Sequence, residues 1–229
     1  KQSLDTPAII PDLAVLDPVL TLSLPQQVTA ESGMDALTQA IESYWSVKAT
    51  PESQKLAAQA IQLIYPNIRE AVQSGTLAAR EAMAHGANLA GQAIQMTRTT
   101  ASHAISYPMT AHFGVAHGQA VRISLPYMMA FNAEGTDDDV LDPRGADSVR
   151  KTLQDICNLM GHQTVDELKT AWITLMRDIG LKTGLSALGI QQSDWAIIIR
   201  DGFNPDRVKN NPRCLTAEQL KQLLSEFGG

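Results

Sequence analysis

A chain of 229 residues that is 44% hydrophobic can bury a sizeable core, as one large domain or two small ones. Its net charge of −6, with lysine and arginine spread rather than clustered, argues against a nucleic acid or a membrane surface as partner and leaves small molecules or proteins. No run of about 18 apolar residues occurs, the first residues lack a signal-peptide pattern, and Cys157 and Cys214 are too few for a disulfide scaffold or a cysteine metal site. The expectation is a soluble, cytoplasmic protein with free thiols.

In chain order, residues 1–28 are rich in proline and aspartate, with the short apolar runs "AII" and "LAVL". They read as extended chain, either an interdomain connection or a strand remnant. From Thr29 onward apolar residues recur at spacings of three and four, so residues 29–229 read as one helical domain. Thr50-Pro51-Glu52 sets a capping hydroxyl, a proline and an acid at a helix start, and the alanine-rich periodicity carries that helix to about Val72. Thr76 begins another, in which Gly86, Ala90 and Gly91 would admit a close neighbour. Thr164 and Thr216 each stand three residues before a glutamate or glutamine, the capping-box pattern, and start two more helices. The polar stretch 132–147, ahead of Thr164, reads as a surface loop. No internal repeat and no alternating strand pattern appears, so the class is all-α, with a short extended lead-in.

Two clusters carry chemistry-bearing residues. In "SGMDALTQAIESYWS", Asp35 and Gln39 share a helix face and Glu42 lies nearly in line a turn further on. A solvated surface has the same polar spacing, but Met34, Ala36, Leu37, Ala40 and Ile41 flank the stripe and leave less of the helix for water. In "SHAISYPMTAHFGVAHG", His103 and His117 would lie about 21 Å apart on one continuous helix, too far to share an ion, so a common metal demands a chain reversal. Pro108 permits a kink, and Gly114 and Gly118 offer a turn between two helices. Asp35, His103 and His117 then form a mixed oxygen and nitrogen set suited to Fe²⁺ or Zn²⁺, with His112 as a bystander. Taken singly, each histidine is more often a structural residue than a ligand, and His85 and His162 stay in that category.

At these residues the sequence resembles the iron-containing (group III) alcohol dehydrogenases of the dehydroquinate synthase-like superfamily. "PDLAVLDPVLTLSLP", "TAESGMDALTQAIESYWS", "ANLAGQAI", the histidine motif, "SLPYMMAFN" and "NPRCLTAEQLKQLL" follow the family's order and cover nearly the whole chain. The resemblance implies the helical bundle of the C-terminal domain, with Asp35, Gln39, His103 and His117 at the family's metal-ligand positions for Fe²⁺, Zn²⁺ or Ni²⁺. Gln39 stands where the family has histidine and keeps only a neutral amide oxygen. Tyr107 stands where many members place a histidine near the nicotinamide and substrate, which makes it the catalytic candidate. The two motifs look closest to the phosphonoacetaldehyde reductase-like branch, for which Arg98 and Arg122 are the basic substrate-binding candidates, unless they are surface charges.

The implied reaction is NAD- or NADP-linked alcohol oxidation or aldehyde reduction, with the metal polarising the substrate oxygen and often with a homodimer as the assembly. No G-x-G-x-x-G or G-G-G-S occurs, so the expectation is that the dinucleotide-binding half is absent from this chain, which alone is incomplete and inactive. Two rivals are a sugar-phosphate cyclase or lyase of the same superfamily, against which "GMDALTQAIE" argues, and a non-catalytic helical interaction module.

Overall fold

The computed structural model describes residues 11–228, and "AII" at 8–10 lies outside them. Among the described residues there are ten α-helices and no strand: α1 (Gln26–Trp45), α2 (Pro51–Gln73), α3 (Leu77–Thr97), α4 (Ala101–Phe113), α5 (His117–Ala133), α6 (Ala146–Leu159), α7 (Val165–Asp178), α8 (Trp195–Asp201), α9 (Pro205–Val208) and α10 (Ala217–Phe227). The all-α reading stands. Within the described part of the lead-in, residues 11–17 form no regular element and lead into a single 3-10 turn at Pro18–Thr21, where proline and a side-chain cap from Asp17 favour a tight turn.

The starts of the helices follow local chemistry. Thr50 accepts from the Ser53 N–H while the Ser53 hydroxyl accepts from the Thr50 N–H, a reciprocal cap that opens α2. Thr76 caps α3 and Thr216 opens α10 with a full capping box to Gln219. At α7 the box is only half made, because the Glu167 carboxylate reaches past Thr164 to the Gln163 N–H. The 132–147 stretch is less free than its composition suggests. Ala133 still belongs to α5, Val140 pairs with Arg213 in an isolated antiparallel bridge, and Asp142 is buried.

Helix α1 lies at the centre, packed against α2, α3, α5 and α6. It buries Met34, Leu37, Ile41 and Trp45 but also Thr38, Glu42 and Ser43, so it is covered nearly all round rather than along one stripe. Each large apolar side chain so buried stabilises the fold by about 1.5–3 kcal/mol. The two largest, Trp45 and Trp172, keep their indole N–H groups bonded, to Thr100 Oγ1 and the Arg122 carbonyl. Gly86 does admit a neighbour, since a Cβ there would lie 2.5 Å from the Ile64 side chain of α2, whereas one on Gly91 would meet nothing within 4 Å.

Candidate metal centre

Three helices meet where the two sequence clusters come together. α1 presents Asp35, Gln39 and Glu42, and α4 presents His103 in its first turn. α4 runs straight through Pro108 and ends instead at Gly114, whose φ of +67° is the left-handed conformation that glycine adopts without cost. The reversal makes His117 the first residue of α5. Gly118 permits the approach that follows, because a Cβ there would lie only 2.5 Å from the Glu31 carbonyl oxygen of α1.

Asp35, His103 and His117 each offer one ligand atom, and these atoms lie within 4.8 Å of one another. The rings of His103 and His117 meet edge to face with centroids 5.5 Å apart. His103 Nδ1 hydrogen-bonds Glu42 Oε2, which leaves its buried Nε2 facing Asp35 Oδ1 at 3.5 Å without a hydrogen bond of acceptable geometry. Gln39 lines the same cleft, and its Nε2 donates to Asp35 Oδ2 at 3.1 Å, a bond that engages the amide nitrogen and not the amide oxygen. Burial alone would push both charged forms of the His103–Glu42 pair away, yet the pair holds. The Glu42 carboxyl is kept below its usual range by His103 and the Thr100 hydroxyl, and Glu42 with Asp35 raises the imidazole to about 9.

This cluster opens into a cleft of about 840 Å³, a size suited to a small substrate or cofactor. Tyr107 lines it and stacks on His117, with ring centroids 6.2 Å apart at 15°. Arg98 lines it as well, with a φ of 61° that a non-glycine residue adopts only where its surroundings impose it. His112 sits at its exposed edge, bonded to Asp201 at 2.8 Å. Arg122 is not brought to the cleft. Its side chain is buried, Nη1 donates to the Gly118 carbonyl, and burial lowers its pKa to about 10 despite Glu31. His85 and His162 also lie elsewhere, His162 bonded to Tyr65.

The structure adds residues that the sequence patterns do not single out. Asp201 of α8, with Asn204 and Arg207 at α9, closes the far side of the cleft. They carry no motif and reach the site only through the fold. Glu42 is visible in sequence on the Asp35 face, but its bond to His103 spans 61 residues.

Fold and donor set together describe an all-helical domain with a candidate site for one divalent ion. Residues 29–227 match the Fe-containing alcohol dehydrogenase family, C-terminal, and the chain belongs to that family. Among its curated relatives, the long-chain-alcohol dehydrogenase 1 of Geobacillus thermodenitrificans is 34% identical over 87% of this chain and 50% of its own length. The phosphonoacetaldehyde reductase of Streptomyces viridochromogenes is 33% identical over 99% and 56%. The chain thus spans about half the length of the curated relatives it matches. Of solved structures, sulfoacetaldehyde reductase from Bifidobacterium kashiwanohense, in complex with NAD+, aligns with a TM-score of 0.80 at 32% identity, covering 93% of this chain and 53% of that one. The iron-containing alcohol dehydrogenase of Thermococcus thioreducens aligns with a TM-score of 0.85 at 28% identity, over 96% and 56%. No helix among the described residues is long and apolar enough to cross a membrane.

The residues present suit the divalent ion that the family implies. One carboxylate and two imidazoles are a donor set common to Zn²⁺ and Fe²⁺, and a buried His103 Nε2 without a hydrogen bond is the atom an ion would satisfy.

Proposed function

We propose that this chain is the metal- and substrate-binding helical domain, residues 29–229, of an NAD(P)-linked alcohol dehydrogenase or aldehyde reductase. One observation carries the reading: an aspartate and two histidines from α1, α4 and α5 converge within 4.8 Å beside a cleft of about 840 Å³. Asp35, His103 and His117 hold the ion, Zn²⁺ or Fe²⁺, and the Gln39 amide oxygen completes or tunes the shell while its nitrogen donates to Asp35. When bound, such an ion supplies Lewis-acid polarisation of an alcohol or aldehyde oxygen, and a nicotinamide supplies or accepts hydride. The chain's own residues do the rest. Gln39 fixes the Asp35 carboxylate, the Tyr107 phenol offers a proton to the substrate oxygen, and the helices around His103 keep bulk water from the donors.

For the substrate, an anionic aldehyde such as phosphonoacetaldehyde is the finer reading, in keeping with two relatives named for phosphono- and sulfoacetaldehyde. Arg98 and Arg207 both line the cleft and supply the guanidinium groups that such an anion requires. Free Cys157 and Cys214 suit a reducing, cytoplasmic setting.

Metal analysis tests the reading first. One divalent ion per chain after metal-replete refolding is expected, and a metal-free chain equally stable in chelator contradicts it. Oxidation of NADPH or NADH by the protein at its full coding length should then be faster with phosphonoacetaldehyde than with propanal. Equal rates remove the anionic substrate while leaving the dehydrogenase.

A further inference from the structure

We infer that Glu42 is the positioning residue of the metal centre, selecting which nitrogen of His103 faces the ion. The inference rests on the metal-binding reading above. Glu42 is fully buried, and its carboxylate serves two customers with its two oxygens. Oε1 accepts from the Thr100 hydroxyl at 2.6 Å, from the Ser102 backbone N–H at 2.9 Å and from the His103 N–H at 3.4 Å. These amides belong to the first turn of α4, whose N-cap residue Thr100 makes no side-chain cap of its own. A carboxylate from α1 therefore caps α4 from outside, where an anion also meets the positive end of the helix dipole. Oε2 binds the His103 Nδ1. A carboxylate only accepts, so Nδ1 must carry the hydrogen, and in the neutral ring the lone pair is then on Nε2, the atom that faces Asp35. One side chain thus fixes the backbone that carries the ligand, the orientation of its ring and its tautomer.

The conservative change Glu42→Gln separates these roles. The amide oxygen keeps the cap by accepting from Thr100 and Ser102, which turns the NH2 group toward His103. That group donates, so Nδ1 becomes the acceptor and the hydrogen moves to Nε2, where it blocks the metal. E42Q should fold with unchanged helical circular dichroism yet bind Zn²⁺ about 10–100-fold more weakly. A purely structural role predicts loss of helix with no change of tautomer.

The test is Zn²⁺ titration of the wild-type chain and E42Q, with the imidazole nitrogens followed by ¹⁵N-resolved NMR. Expected are His103 protonated at Nδ1 and metallated at Nε2 in the wild type, and protonated at Nε2 in E42Q. A folded E42Q that binds Zn²⁺ as tightly as the wild type overturns the inference and leaves the metal site standing. Failure of the wild type to bind Zn²⁺ overturns the metal reading itself, and the inference with it. Should E42Q not fold, the wild-type tautomer decides: hydrogen on Nε2 with Nδ1 as the ligand overturns the assignment, and hydrogen on Nδ1 supports it.

Discussion

Replacing Gly118 by alanine should damage fold and metal site together. The added Cβ would lie 2.5 Å from the Glu31 carbonyl oxygen and 3.0 Å from its carbon, and both are backbone atoms of α1 that cannot rotate aside. About 0.9 Å must open between the two helices before the contact reaches an ordinary 3.4 Å. Overpacking of this kind costs about 1–3 kcal/mol. For a domain of this size that lowers Tm by about 2–12 °C. The same opening moves His117, the residue before Gly118, away from Asp35 on α1. Metal–ligand distances tolerate only about 0.2 Å, so Zn²⁺ affinity should fall by at least about 10-fold. The assay is thermal unfolding in chelator beside Zn²⁺ titration, with Gly91→Ala as the control. Gly91 has open space around it inside α3, so G91A should stabilise by about 0.5–1 kcal/mol and leave metal binding unchanged. A G118A chain with wild-type Tm and wild-type Zn²⁺ affinity refutes the idea that helix approach at Gly118 builds the site.

Three further outcomes are expected. Arg98→Gly should raise stability by about 1 kcal/mol in chemical denaturation by relieving the backbone at φ 61°, while weakening inhibition of the full-length protein by phosphonate anions. In chelator the His103 contribution to stability is fully present below the ordinary imidazole value of 6.5 and is lost as pH rises through about 9, so Tm of the metal-free chain should fall across that window. Zn²⁺ binding displaces the same proton, so apparent affinity should instead rise across it, as a titration series would show. Gln39→His replaces a weak amide oxygen with an imidazole four residues from Asp35 and should tighten Zn²⁺ binding by direct titration, and weaker binding would mean that the Gln39–Asp35 hydrogen bond matters more than a stronger fourth ligand.

Much of the fold was legible because its signals are local. Thr50, Thr76 and Thr216 cap the helices they announce, and the reversal between His103 and His117 falls at Gly114, where the residue type permits a positive φ. The grouping of Asp35 with the two histidines was legible through the family resemblance, and helix length showed only that such a grouping needs a chain reversal between the histidines. Pro108 misled because a proline tolerated inside a helix looks in sequence like one that breaks it. For Arg122, a place near the histidine motif does not say where its side chain goes: the guanidinium turns back to the Gly118 carbonyl and toward Glu31, buried and not among the residues that line the cleft. The role of Glu42 and the far wall of the cleft depend on contacts across 58 to 61 residues or between helices that share no motif, which only packing reveals.

The most direct measurement is X-ray absorption at the zinc edge of the chain loaded with one equivalent of Zn²⁺. Asp35, His103 and His117 predict two imidazole nitrogens with oxygen donors at about 2.0–2.2 Å and no sulfur. A shell at about 2.3 Å from cysteine sulfur, or fewer than two imidazoles, would contradict the site.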